Sequence, residues 1–323
     1  MAKIAVVYPL SLEPTGTQVN SNTGRLTTYH QLETAFESCS SWIKQNLLEK
    51  FQGHEVDIYV FANYKNLNQA NVFKKQLMKL YPIKDFILEP WENVNDEIIN
   101  KSPFNRNQIA ITDMWSSLIR QPWNLKHALD YIHSHYGEYD YYIKSRLDIF
   151  PGAIDAKLLF AESSSNTPWT DELYDYSSSN RFVVTRAAIV TGSHITPMHI
   201  NDIQLFFDRA CARSIIKQFD KWIDFTADYC SKFDWETMRS SNGKLLHRTL
   251  RYQPCYLLPE TSWANLFLLS KVRITAANGH LLEYILYRED TYNDQVQLQH
   301  LIDNPDKGLL LFWKYNRSKK KSQ

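Results

Sequence analysis

The sequence predicts an α/β protein with a central, mostly parallel sheet flanked by helices. Three observations carry that prediction. An apolar run at residues 4–9 (Ile-Ala-Val-Val-Tyr-Pro) starts almost at the first residue. A helix-period pattern follows it, and a second apolar run at residues 56–61 closes the unit. Strand, helix and strand in this succession form a parallel crossover, because two adjacent parallel strands need a long connection.

Each element has its own warrant. Residues 4–9 read as a buried strand stopped by Pro9, which cannot donate to a ladder. A polar stretch bearing Thr, Asn and Gly, residues 11–28, reads as a loop. Residues 32–51 read as a helix with Phe36, Trp42, Ile43, Leu47 and Leu48 on its apolar side and Gly53 just past its end. After the strand at 56–61, a helix around 71–80 leads to a strand at 86–88. Residues 113–135 predict a long helix kinked at Pro122, whose stripe of Trp115, Leu118, Ile119, Trp123, Ala128, Leu129 and Ile132 is core.

Residues 139–143 predict a strand running straight into Lys144-Ser145-Arg146-Leu147-Asp148. The Ser-, Asn-, Asp- and Thr-rich stretch 163–180 reads as an exposed loop. Its Trp169 and Tyr174 serve either as anchors to the core or as a platform for a sugar ring. Residues 181–191 read as strand. Residues 201–219 read as a helix with Asp202 in its first turn, and the chain to about residue 251 as mostly helical.

Composition excludes several classes. A net charge of +1 lacks the basic excess of a nucleic-acid binder. Cys39, Cys211, Cys230 and Cys255 form no C-x-x-C pair, so reduced thiols and a cytoplasmic location are expected. No apolar run reaches the roughly 18 residues of a membrane span, so the expectation is a soluble protein. A basic tail at 311–323, with Lys314, Arg317, Lys319, Lys320 and Lys321, is either solvated or attracted to an anionic membrane surface. The nine glycines include no G-x-G, which removes the dinucleotide fingerprint and the phosphate-binding P-loop together. No G-x-S-x-G or H-E-x-x-H occurs either.

Chemistry concentrates at the end of the strand at 139–143. Ligands of open α/β sheets collect at the carboxyl ends of strands. Arg146 and Asp148 are two apart, which in extended chain puts them on one side. Such a pair can serve a nucleotide diphosphate, whose leaving oxygen gains negative charge as a bound group departs. Asp148 would hold a divalent cation bridging the phosphates, while Arg146 or Lys144 meets their oxygens directly. A plain surface ion pair explains the same residues without chemistry. Asn201-Asp202 is the second place of interest: Asp202 is placed to accept a proton from an acceptor hydroxyl, or else simply to sit at a capped helix start. His194, His199 and Glu236 are weaker candidates for a base.

The stretch Tyr139-Asp140-Tyr141-Tyr142-Ile143-Lys144-Ser145-Arg146-Leu147-Asp148-Ile149-Phe150 resembles a strand of GT-A-type glycosyltransferases related to the WavE lipopolysaccharide-synthesis family and to viral glycan-building enzymes. There an R-x-D turn stands where other GT-A enzymes carry D-x-D. The opening strand, the strand at 56–64 and the segment at 199–210 resemble further parts of that family. The resemblance implies a GT-A-like (Rossmann-like) fold with a helical C-terminal part. It implies one domain over 1–310, with a nucleotide-sugar half at 1–160 and an acceptor-side half at 161–310. It also implies a nucleotide-diphosphate sugar as donor and Mn or Mg near Asp148. Tyr8 and Pro9 would approach the base or ribose, and a loop through Asn22, Thr23 and Arg25 would cover the donor. Arg146 replaces a carboxylate of the usual motif, so its charge partly stands in for the cation's. The expected activity is transfer of a sugar to a surface glycan: lipopolysaccharide, capsule or a viral glycan. The alternatives are a non-catalytic carbohydrate-binding protein of the same shape and a capsule phosphosugar transferase.

Overall fold

The computed structural model describes residues 1–12, 29–102, 109–151, 154–164, 172–175, 180–183, 188–191, 204–231, 263, 266–267, 273–276 and 284–286. In chain order the first half holds β1 (Lys3–Ser11), α1 (Tyr29–Ile43), β2 (Glu55–Tyr64), α2 (Leu67–Leu80), β3 (Ile83–Pro90), α3 (Trp91–Asn100), α4 (Ile109–Tyr136) and β4 (Tyr141–Lys144). Then follow β5 (Ile149–Pro151), α5 (Ala156–Ser164), β6 (Glu172–Asp175), β7 (Asn180–Val183), β8 (Ala188–Thr191), β9 (Leu205–Asp208), α6 (Arg209–Ser231), β10 (Arg273–Ala276) and β11 (Tyr284–Leu286).

The expected α/β architecture forms. A seven-stranded sheet has the order β10-β8-β9-β4-β1-β2-β3. β1 runs parallel to both β2 and β4, and β2 parallel to β3. β9 alone runs against the rest, pairing antiparallel with β4 and β8, while β10 is parallel to β8. β1 is central, which explains why its run has no polar alternation: seven consecutive residues, Ile4 to Leu10, are buried.

Alternate side chains of each strand feed two separate cores. Ala5, Val7, Tyr59, Phe61, Tyr142 and Phe207 pack on the face covered by α3, α4 and α6. Ile4, Val6, Tyr8, Val60, Ile143 and Phe206 pack on the face covered by α1, α2 and α5. Trp115, Ile119, Trp123, Ala128, Leu129 and Ile132 of the predicted α4 stripe are all core.

This arrangement fixes where a ligand crevice must lie. From β1 the chain winds outward through α1 and α2 to β3, then returns over the other face through α3 and α4 to place β4 beside β1. The winding direction reverses between β1 and β4. In open sheets the connections leave opposite ways at such a switch point and open a crevice at the carboxyl ends of its two strands. Here those ends are residues 8–12 and 144–148.

Several sequence expectations are corrected. α3 fills residues that carried no assignment, and α5 begins before the stretch read as loop. β6 lies inside that supposed loop, paired antiparallel with β7. Residues 205–208 are strand, not helix, and α6 begins only at Arg209. Asp202 therefore does not stand in the first turn of that helix, and Asp208, within the residues read as helix, instead ends β9 and accepts from the Cys211 backbone N–H at 2.8 Å. No helix of the described residues is long and apolar enough to cross a membrane. Cys39 and Cys211 are buried thiols outside any disulfide; Cys230 and Cys255 have no described side chain.

Candidate active site

The crevice end of β4 is built by an abrupt change of direction. The ladder to β1 continues one residue past the strand, the Ser145 N–H donating to the Val7 carbonyl at 3.1 Å. The backbone then bends at Leu147 and Asp148 and re-enters the small sheet as β5, paired antiparallel with β11. The extended run predicted from 139 through 148 is thus broken by a turn. Leu147 is fully buried in the α1-side core and pins the bend from below. Asn46 pins it from beyond: its side-chain amide donates to the Pro151 carbonyl at 3.1 Å, and its own carbonyl accepts from the Ile154 N–H at 3.1 Å. Asn46 lies in a five-residue π-helical segment (Lys44–Leu48) that continues α1. That widened turn is a local departure often found near working sites.

The bend brings Arg146 and Asp148 together more tightly than a shared strand face would. The Arg146 Nε donates to Asp148 Oδ1 at 2.7 Å, and Nη2 donates to Oδ2 at 2.5 Å. Two parallel charge-assisted bonds hold the guanidinium in one plane. Their exposures differ in a way that assigns roles. The Asp148 side chain is 9% exposed and the Arg146 side chain 28% exposed. The carboxylate is the more deeply buried partner and the guanidinium the more exposed one, so Asp148 is the group that fixes the guanidinium's plane. Burial, with the negative charge of Asp148 nearby, pushes the Cys39 thiol well above its usual range and keeps it protonated.

Both oxygens of Asp148 accept from the Arg146 fork, one bond each. Among the described residues no group of three or more His, Cys, Asp or Glu is arranged to hold a metal.

The other expected residues fall as follows. Lys144, the last residue of β4, is fully buried on the α4 and α6 face, its Nζ 5.2 Å from the Trp263 ring centroid. Tyr8 is fully buried on the opposite face, its ring centroid 6.4 Å from that of Tyr81. Burial pushes its phenol far above the usual range. Pro9 is buried. Asn22, Thr23, Arg25, Asp202, His194, His199, Glu236, Trp169 and the basic tail lie outside the described residues, and of Tyr174 only the backbone in β6 is described.

Four polar residues that sequence reasoning missed stand at the same end of the sheet. Ser145 and Gln204 are fully buried and lie next to the last pair of the β4–β9 register, Lys144 with Leu205; neither the hydroxyl nor either carboxamide atom has a partner among the described residues. Asn63, at the end of β2, accepts from the Asn124 amide at 2.6 Å, and that same amide donates to the Leu10 carbonyl at 3.3 Å. Buried polar atoms of this kind are normally satisfied, so a set of orphans beside a crevice marks where a bound molecule's hydrogen-bonding groups would fit. A polar residue closing an apolar strand was the available signal for Asn63; Gln204 was hidden by the helix reading.

A concavity of about 640 Å³ opens at the opposite end of the strands, between Met1, His54, Asp140, Tyr141, Phe160 and Arg209. Its charges are spent on one another: Arg209 donates to Asp140 at 2.6 Å, and Arg213 makes a two-bond pair with Glu138.

No protein-family model matches this chain, and no curated protein matches it. Among solved structures it is similar to mouse xyloside xylosyltransferase 1 in its apo form, at 8% identity and a TM-score of 0.42, over 85% of this chain and 84% of that one.

Proposed function

We propose that the chain is a glycosyltransferase that moves a sugar from a nucleotide-diphosphate donor to a hydroxyl of a surface glycan. The observation that carries this reading is the aimed guanidinium of Arg146 at the switch point between β1 and β4. The resemblance of residues 139–150 to an R-x-D strand supports the same place.

In this reading the donor's pyrophosphate lies across the carboxyl ends of β1 and β4. The bond from the anomeric carbon to the phosphate oxygen breaks, and the departing diphosphate takes the electron pair. Arg146 donates to the oxygens where that charge gathers, which favours the transition state over the ground state. Asp148 prevents the guanidinium from reorienting and is a positioning residue. The acceptor oxygen bonds the anomeric carbon and its proton passes to a base, for which Asp202 remains our candidate. Tyr8 and Pro9, with Asn22, Thr23 and Arg25, remain the proposed surroundings of base and ribose. Ser145 and Gln204 offer neutral hydrogen-bonding atoms suited to sugar hydroxyls.

The test is a panel of nucleotide sugars screened for donor hydrolysis and for transfer to glycan acceptors, with product analysis. A free nucleoside diphosphate is the expected product; a nucleoside monophosphate would indicate phosphosugar transfer. Arg146→Ala should lower kcat/KM by roughly 10²–10³, the usual loss when one aimed charge-stabilising donor is removed. The reading fails if no nucleoside diphosphate of any base binds or raises the melting temperature.

A further inference from the structure

We infer that Gln204 and Ser145 read the ring hydroxyls of the donor's sugar, and that these two neutral side chains decide which sugar is taken. This rests on the glycosyltransferase reading and names the part of the donor that this end of the sheet recognises.

Ile143 pairs with Phe206 in the β4–β9 register, and both belong to the core on the α1 side. Ser145 stands two residues after Ile143 and Gln204 two before Phe206, so strand alternation brings both to that face at the carboxyl end of β4. Three of their atoms, the Ser145 hydroxyl and both polar atoms of the Gln204 carboxamide, are buried with no partner among the described residues. Their chemistry limits what can satisfy them. The Gln204 carbonyl oxygen needs a donor and its amide nitrogen an acceptor. Ionised phosphates and carboxylates only accept and a cation only donates, so an ion leaves one of the two orphaned. A hydroxyl does both, and two adjacent hydroxyls of a sugar ring meet the carboxamide on both sides. The strand order assigns these atoms to the donor's sugar, because β4 lies between β1 and β9. With base and ribose beside β1 and the diphosphate across the ends of β1 and β4, the group beyond the second phosphate falls at β4 and β9. Ser145 is next in the chain to Arg146, whose side chain is 28% exposed, so the turn carrying it reaches the surface. An unpartnered buried polar group costs stability until a ligand supplies the missing bond. An epimer or deoxy sugar that fails to supply it is rejected.

The experiment compares the full chain with Gln204→Met, which keeps the side chain's length and deletes both polar atoms. Donor hydrolysis is measured over UDP- and GDP-linked sugars that include pairs differing at one ring hydroxyl, and binding of UDP and GDP by calorimetry. The kcat/KM for the preferred sugar should fall by more than about tenfold while its poorer epimer changes by less than about threefold, so the preference collapses. The Kd of UDP and GDP should stay within about threefold. Tm should hold or rise, since an unpartnered polar group has left the interior. Ser145→Ala deletes the third atom and should flatten the preference in the same way; it decides the matter if circular dichroism shows that Gln204→Met is unfolded. A preference kept by both variants overturns the inference, as does an equal fall for every sugar or no preference in the unaltered chain. A lower Tm with unaltered turnover overturns it too, because the carboxamide would then serve the fold alone. If UDP or GDP still binds, each of these results leaves the glycosyltransferase reading standing. Absence of nucleotide binding in every condition overturns both.

Discussion

His127 lies almost flat against Trp123, ring centroids 3.6 Å apart, within the α4 layer. Burial, with the Lys126 charge next in strength, lowers its pKa from the usual 6.5 to about 4. The sign of the consequence follows from which state binds the proton first. As pH falls below about 6.5 the unfolded chain protonates at this position while the folded chain does not, so stability drops until about pH 4, where both are charged. Between these limits the folded protein should lose a few degrees of Tm to this one residue, about 2–4 °C for each kcal/mol at such chain lengths. His127→Phe keeps the stack and removes the proton site, so its Tm should fall less steeply from pH 6.5 to 4. Equal slopes for the two proteins would show that His127 titrates normally.

At the scale of elements, α6 makes the sharpest test. It opens with Arg209 and has no acidic residue in its first turn, so Asp208 is the group that meets its exposed N–H donors, bonding Cys211 N–H at 2.8 Å. Asp208→Ala should cost about 1 kcal/mol, the usual value of a lost N-cap, read as a small drop in denaturation midpoint. No drop would mean that the cap contributes nothing. The same junction shows what the sequence could and could not disclose. Leu205-Phe206-Phe207 followed by a helix has no period of its own, so a four-residue buried strand merges into the helix pattern behind it. Its partner is β4, some sixty residues earlier, and that long-range pairing is invisible locally. By contrast β1, β2 and α4 were legible because each carries a long apolar signal: a buried run or a stripe that includes Trp115, Ile119 and Ile132. Arg146 and Asp148 were legible as a pair because they share a strand end. Which of the two is the more deeply buried was not, since that depends on the bend pinned by Leu147 and Asn46. Ser145 and Gln204 come to the same end of the sheet only because the β4–β9 register sets Lys144 opposite Leu205.

Across the whole molecule the two ends of the strands have opposite characters, and this predicts which end can be altered without loss of activity. At the carboxyl end of β4, Ser145 and Gln204 leave buried polar atoms without partners among the described residues. At the amino end the polar groups bond one another. The Tyr139 hydroxyl donates to Asp57 at 2.5 Å, meets Tyr59 at 2.6 Å and accepts from Lys84 at 3.3 Å, while Tyr131 and Tyr136 both donate to Asp85 at 2.9 Å. A closed network of this kind holds strand starts to the end of α4; it offers a ligand little that is not already taken. Tyr139→Phe deletes one hydroxyl from the 3%-exposed centre of that network and leaves the ring in place. It should cost about 1–3 kcal/mol of stability, because Asp57 and Tyr59 lose a buried partner. Its kcat/KM for transfer should stay within about twofold, because Tyr139 lies five residues, roughly 16 Å of strand, from Lys144. Arg146→Ala should behave the other way, losing transfer, and it should lower Tm as well because the buried Asp148 carboxylate loses both of its bonds to the guanidinium. Measuring both variants by thermal melting and by transfer rate separates the two ends. If Tyr139→Phe abolished transfer at an unchanged Tm while Arg146→Ala left it intact, the reacting centre would belong in the concavity at the amino ends of the strands.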